Sequence, residues 1–211
     1  MKGKCCVEGC ENTNILAKNM CTKHYKQMYR YGKILKRTRY DPNEIIKYDN
    51  YAEMILYDDK GNEKHRAKID INDIENVNKY KWYSSLSDDR YYVQSDNVNG
   101  KRIYLHRFIM NCYDMCKVVD HINHDTFDNR KSNLRVVTPS QNNMNRILQK
   151  NNTTGKTGVY YNKDNKYEAY ISINSEKLIL GYFNSFEEAT NVRKQAEIEY
   201  FGEYRYIDEN Y

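Results

Sequence analysis

Apolar and polar residues alternate over much of residues 44–105. The run 51–57 (YAEMILY) is aromatic and aliphatic, Asp58-Asp59-Lys60-Gly61-Asn62 reads as a turn, and Ala67, Ile69 and Ile71 then alternate with polar neighbours. Successive side chains on a strand point to opposite faces, so this spacing predicts half-buried strands. Asn99-Gly100, between Tyr91-Tyr92-Val93 and Ile103-Tyr104-Leu105, predicts a tight hairpin, whose two central positions favour positive φ. Residues 105–113 read as a short helix. Past a polar joint at 151–155, residues 158–161, 167–173 and 178–183 predict three strands, with Asn165 and Asn174-Ser175 in the turns. Phe186, Ala189, Val192, Ala196 and Tyr200 recur at three- and four-residue intervals, the period of an amphipathic helix over 186–201.

Composition narrows the class. The chain has 211 residues, 39% of them hydrophobic, and a mean hydropathy of −0.99. No stretch approaches the roughly 18 apolar residues of a membrane span, and no apolar segment follows the N-terminal lysines as a secretory signal would require. The chain therefore reads as cytoplasmic, in a bacterial or phage-infected cell. There, six cysteines suggest metal sooner than disulfides. Twenty-two tyrosines argue for a folded chain. The net charge of +5 is uneven: residues 1–40 carry +8, 41–105 carry −3, 106–150 carry +3 and 151–211 carry −3. A compact basic head on a nearly neutral body suits a polyanion binder.

That head contains Cys6-x3-Cys10-x10-Cys21-x2-His24, two close pairs of the ligands that tetrahedral zinc takes, in a block too small to fold on apolar burial alone. Cys5 can replace Cys6 in this set. After His24, basic and aromatic residues interleave; Lys26, Arg30 and Lys33 are expected to meet DNA phosphates. The block resembles the small zinc-binding segments that precede some phage endonucleases, which implies a structural zinc and DNA contact.

A second constellation runs through Val118-Val119-Asp120-His121-Ile122-Asn123, Asp128-Asn129-Arg130 and Asn133-Leu134-Arg135-Val136-Val137-Thr138 into Pro139-Ser140-Gln141-Asn142. Two apolar pairs flank a polar loop, and Thr138-Pro139 reads as a helix N-cap with proline in the first turn. His121 suits a general base near neutral pH, and a carboxylate with a side-chain amide suits a hard cation. With Leu105-His106-Arg107 these pieces resemble the HNH endonucleases of phage and intron-encoded homing type, with Asn in the final motif position. The resemblance implies a ββα-metal core in which His121 is the base, Asn133 orients its ring, and Asp120 and Asn142 hold one Mg2+ or Mn2+. His106 and His124 are candidate supports; His124 stands where that family commonly has glycine. His65 reads as a surface residue, and Cys112-x3-Cys116 as buried thiols.

The unit 157–201 resembles the Apetala-like DNA-binding domain through Gly158-Val159-Tyr160-Tyr161, Tyr167-Glu168-Ala169-Tyr170-Ile171, Leu180-Gly181-Tyr182-Phe183 and Glu187-Glu188-Ala189. The resemblance implies a sheet that enters the major groove, with Tyr161, Lys163, Lys166 and Tyr170 as contacts. The helix acids Glu187, Glu188, Glu197 and Glu199 are expected to face away.

Together these readings predict an α+β chain in three parts: a zinc-stabilised module over 1–40, a β-rich region and nuclease core over 44–149, and a three-stranded sheet plus one helix over 155–206. The expected function is site-specific, metal-dependent cleavage of double-stranded DNA, nicking or cutting both strands, by a monomer or homodimer. A non-catalytic DNA-binding regulator on the same scaffold and a zinc-containing RNA-binding protein are the alternatives.

Overall fold

The computed structural model describes residues 3–37, 41–98, 100–148, 151–174 and 176–207. Thr38, Arg39 and Tyr40, and the turn residues Asn99 and Ser175, lie outside them. The architecture mixes helix and sheet, in two compact units: Met1–Leu105 with Thr126–Arg130, and His106–Asp125 with Lys131–Tyr211.

The first unit opens with a short hairpin, β1 (Ile15–Ala17) and β2 (Met20–Cys21), followed by α1 (Thr22–Tyr31). Gly32 ends that helix at φ 67°, its N–H bonded to the Met28 carbonyl, a left-handed cap that glycine adopts without strain. Two antiparallel sheets follow: β3 (Ile45–Lys47), β4 (Ala52–Tyr57) and β5 (Glu63–Ile69), then β6 (Tyr83–Ser87), β7 (Arg90–Val98) and β8 (Lys101–Tyr104). Central β4 buries Ala52, Met54, Ile55 and Leu56. The expected alternation therefore gives way to burial on both faces.

A helical turn, α2 (Ile74–Val77), interrupts a region whose sequence reads as strand. Its Val77 carbonyl accepts the indole N–H of buried Trp82 at 2.8 Å, and the Asn43 carboxamide bonds both the N–H and the carbonyl of Trp82. Strand β5 lies at a sheet edge, and there Lys68 bonds Phe127 and Asn129 through its backbone. His65 is not the surface residue its acidic surroundings suggest. Its ring stacks on Phe127 at 4.6 Å and lies 4.7 Å from Tyr91, while Nδ1 meets Ser84 Oγ at 2.9 Å.

In the second unit, α3 (Leu105–Ile109) leads into β9 (Val118–His121), which pairs antiparallel with β10 (Leu134–Val137); α4 (Pro139–Met144) follows directly. Thr138 caps α4 reciprocally with Gln141, as the Thr-Pro pair predicts. Then come β11 (Val159–Tyr161), β12 (Tyr167–Ile173) and β13 (Glu176–Phe183), all antiparallel, and α5 (Phe186–Phe201).

Small residues bring α5 close to its sheet: Ala189 packs on Val159 and Ala169, and Ala196 on Ile171. The buried positions of α5 are Ala189, Arg193, Ala196 and Phe201, whereas Tyr200 is exposed. This rotates the inward face from the one the apolar spacing predicts. Arg193 takes an interior position, and Glu197, expected to face away, turns in to pair with Arg193 at 3.2 Å and Lys156 at 2.9 Å. A buried charge needs a partner, and that requirement outweighs the polar character of both side chains.

Candidate functional site

The β9–β10 register places Asp120 opposite Arg135 and His121 opposite Leu134. Directly opposed residues share a face, so Asp120 and Arg135 lie on one side of the hairpin and His121 on the other. Asp120 is buried, and its Oδ2 accepts three hydrogen bonds: from Arg135 Nε at 2.9 Å, Arg135 Nη2 at 2.8 Å and Asn145 Nδ2 at 3.0 Å. Among the described residues, no hydrogen bond goes to Oδ1. One oxygen is thus consumed in fixing the carboxylate, and the other keeps its lone pairs.

His121 ends β9, with its ring against that of His106 on α3, the centroids 5.0 Å apart at 76°. Burial, His121 and Arg107 together push His106 down to about 3, so it stays a neutral ring at physiological pH. Asn133 is buried at the end of a 3-10 turn (Lys131–Asn133). Its Oδ1 accepts the Asn123 N–H at 3.0 Å and its carbonyl accepts that of Ile122 at 2.9 Å, so it braces the loop leaving His121. His124 has φ 64° and donates its backbone N–H to the His121 carbonyl. Left-handed backbone at this position explains why glycine suits it.

Asn142 sits half-buried on α4, and its side chain makes no hydrogen bond to a described residue. One turn on, Asn145 is buried and donates to Asp120, with the His121 and Ile122 carbonyls at 3.4 Å. The sequence reading missed Asn145; the three-residue spacing from Asn142, which puts both on one helical face, is the signal that could have found it. A carboxylate oxygen such as Asp120 Oδ1 and a carboxamide oxygen such as that of Asn142 are hard donors of the kind Mg2+ and Mn2+ take.

The second metal set lies in the first unit. Cys5, Cys10, Cys21 and His24 bring their ligand atoms within 4.8 Å of one another. Cys10 and Cys21 sulfurs are 3.9 Å apart, and His24 Nδ1 lies 3.3 Å from Cys5 and 3.5 Å from Cys21. A tetrahedral zinc with Zn–S near 2.3 Å separates its sulfurs by about 3.8 Å, so the set can hold zinc. Cys6, expected as the first ligand, is exposed and points toward the Lys18 carbonyl at 3.8 Å, and Cys5 takes its place. Burial raises the Cys5 thiol, but the Cys21 N–H, His24 and the Val7 N–H outweigh it and bring it down to about 6. Cys112 is buried, whereas Cys116, read as its buried companion, is exposed.

On α1, Lys26 and Arg30 are exposed one turn apart beside Tyr29, and Lys33 is exposed just beyond the helix. In the C-terminal sheet, Tyr160 and Glu168 share the face away from α5, where Lys177 pairs with Glu168 at 2.8 Å and covers the Tyr170 ring at 4.3 Å. Tyr161 alternates with Tyr160; it packs on Tyr167, on the side of α5 and Phe186. Lys163 and Lys166 are exposed in the β11–β12 turn. No described helix is long and apolar enough to cross a membrane.

An uncharacterised HNH endonuclease of Acanthamoeba polyphaga mimivirus is 35% identical over 133 residues, which cover 61% of this chain and 66% of the relative. The match therefore spans a little less than two thirds of that protein's length. No solved structure matches the chain. The family model for HNH endonucleases matches residues 114–144. That segment holds β9, the loop after it, β10 and α4, so the chain carries an HNH endonuclease domain.

Proposed function

We propose that this chain is a metal-dependent DNA endonuclease of homing type that hydrolyses a phosphodiester with His121 as general base. The observation that carries the reading is the asymmetry of Asp120. Arg135 and Asn145 hold Oδ2, and Oδ1 is left for a cation, in the residue next to a buried histidine. Asp120 and Asn142 would hold one Mg2+ or Mn2+, which would polarise the phosphate and neutralise charge on the departing 3′ oxygen. His121 takes a proton from the attacking water, whose oxygen bonds to phosphorus as the P–O3′ bond breaks. The products are a 5′-phosphate and, once the departing oxygen takes a proton from solvent, a 3′-hydroxyl. Asn133 keeps the His121 loop in place, and neutral His106 backs the ring.

The flanking parts supply affinity for the duplex. Zinc on Cys5, Cys10, Cys21 and His24 stabilises the module that carries Lys26, Arg30 and Lys33. The C-terminal sheet adds Lys163, Lys166 and Tyr170. Two modest binding surfaces on one chain raise affinity through effective concentration, so neither needs to be strongly basic.

The test is incubation of wild type and His121→Ala with supercoiled plasmids bearing candidate target DNA, in Mg2+, Mn2+ or EDTA. Conversion to open circle or linear DNA by wild type alone, lost in EDTA, supports the reading, and the product form separates nicking from double-strand cleavage. Retention of the true target without cleavage under every metal condition overturns it.

A further inference from the structure

Arg135 connects the candidate cation ligand to the far end of the chain. Two of its nitrogens, Nε and Nη2, bond Asp120 Oδ2, and the third, Nη1, donates to the Glu203 carbonyl at 2.6 Å. Glu203 lies in a 3-10 turn (Gly202–Tyr204) that directly follows α5. The next residue, Tyr204, places its ring 5.2 Å from the Arg135 guanidinium carbon. Tyr206 meets His124, in the loop after His121, with ring centroids 5.1 Å apart at 61°. On the other side, Met144 of α4 packs into the cluster of Ile171, Ala196 and Phe201. Four contacts therefore run from the end of the C-terminal module to the hairpin and helix that bear Asp120, His121 and Asn142.

A guanidinium is planar and presents its donors in a fixed fork. With one arm on Glu203 and one face on Tyr204, its remaining edge has a single orientation, and that edge sets the plane of the Asp120 carboxylate. The Arg135 side chain is 16% exposed and that of Asp120 9%, so little water competes for either group. An ordinary surface pair does not need a third anchor from a carbonyl 68 residues away in sequence.

We infer that Arg135 is a positioning residue for the catalytic carboxylate, and that the turn Gly202–Tyr204 of the C-terminal module belongs to the catalytic centre rather than to a separately tethered reader. Arg135 fixes Asp120 from behind, so that Oδ1 faces the divalent cation, and the turn fixes Arg135. The inference rests on Asp120 being the cation ligand of the proposed nuclease.

The test uses the full chain and cleavable DNA. Wild type, Asp120→Ala, Arg135→Lys, Tyr204→Ala and the Arg135→Lys/Tyr204→Ala double variant are compared for kcat, for the Mg2+ concentration giving half-maximal rate, and for DNA Kd in EDTA. Arg135→Lys keeps the charge but cannot hold both the carboxylate and the Glu203 carbonyl. Its expected loss in kcat is about 10–100-fold, with a shifted Mg2+ half-saturation, an unchanged DNA Kd and an unaltered circular dichroism spectrum. Tyr204→Ala loses less, and the double variant is no worse than Arg135→Lys alone, because both act through one guanidinium.

Wild-type kcat and Mg2+ half-saturation in Arg135→Lys, while Asp120→Ala is inactive, overturn the inference and leave the nuclease reading standing. Equal losses in kcat and DNA affinity, or additive losses in the double variant, overturn it as well. A wild type that retains its target uncut overturns both.

Discussion

Asn145 and Asp120 form a buried hydrogen bond at 3.0 Å, and the same amide lies 3.4 Å from the carbonyls of His121 and Ile122. One carboxamide thus ties α4 to the end of β9. Asn142, three residues earlier, makes no such bond. On the proposed reading their roles divide accordingly: Asn145 supports the carboxylate, and Asn142 is the cation ligand.

The two asparagines are separable by experiment. Asn145→Ala leaves buried acceptors short of a donor and is expected to lower stability by about 1–3 kcal/mol. Asn142→Ala is expected to leave the thermal midpoint near wild type and to abolish cleavage. Melting curves and plasmid cleavage of the two variants check this. A destabilised Asn142→Ala that still cuts would reverse the assignment.

The cysteine set makes an equally direct prediction. Purified wild type is expected to hold one zinc, measured by elemental analysis. Cys5→Ser is expected to lose it and Cys6→Ser to keep it, since the Cys6 sulfur points away from the other three ligands. Chelation is expected to weaken DNA retention by unfolding the module that carries Lys26 and Arg30. Equal zinc in both serine variants would count against this ligand set.

His106 sets a pH dependence of stability. Its folded value of about 3 lies below the ordinary 6.5, so the unfolded chain binds a proton that the folded chain refuses. Stability from this group is complete above pH 6.5 and falls as pH drops from there toward 3, by up to roughly 1.4 kcal/mol per pH unit. The groups facing it, His121 and Arg107, both disfavour its charged form. His106→Phe is expected to flatten the acid limb of a thermal midpoint against pH curve. An unchanged slope would show that the loss originates elsewhere.

The exposed lysines of the β11–β12 turn are expected to act through phosphates. Lys163→Ala and Lys166→Ala should each weaken duplex binding similarly across sequences and reduce the slope of log K against log salt by about 1. Tyr170→Ala, on the sheet face itself, should instead change sequence preference. Filter binding at several salt concentrations separates these outcomes.

Much of the local structure follows from sequence alone. Apolar runs bounded by turn signals locate β4, β5, β12 and β13, the Thr138-Pro139 pair starts α4 at the expected residue, and the order of Asp120, His121, Asn133 and Asn142 marks the HNH segment that the family comparison matches. These are signals carried by neighbours a few residues apart, where strand pleat and helix period act directly.

Tertiary structure decides what depends on distant partners. Cys5 replaces Cys6 because its sulfur, and not that of Cys6, meets His24 Nδ1, which only the fold shows. His65 is packed because Tyr91 and Phe127 arrive from elsewhere in the chain. The inward face of α5 rotates because the ion pair of Arg193 with Glu197 makes burial of the arginine tolerable. The Arg135 fork joins Asp120 to Glu203 across 15 residues in one direction and 68 in the other. Sequence periodicity fixes which way a side chain points on its own strand or helix; the partner it finds there depends on long-range packing, which no local pattern encodes.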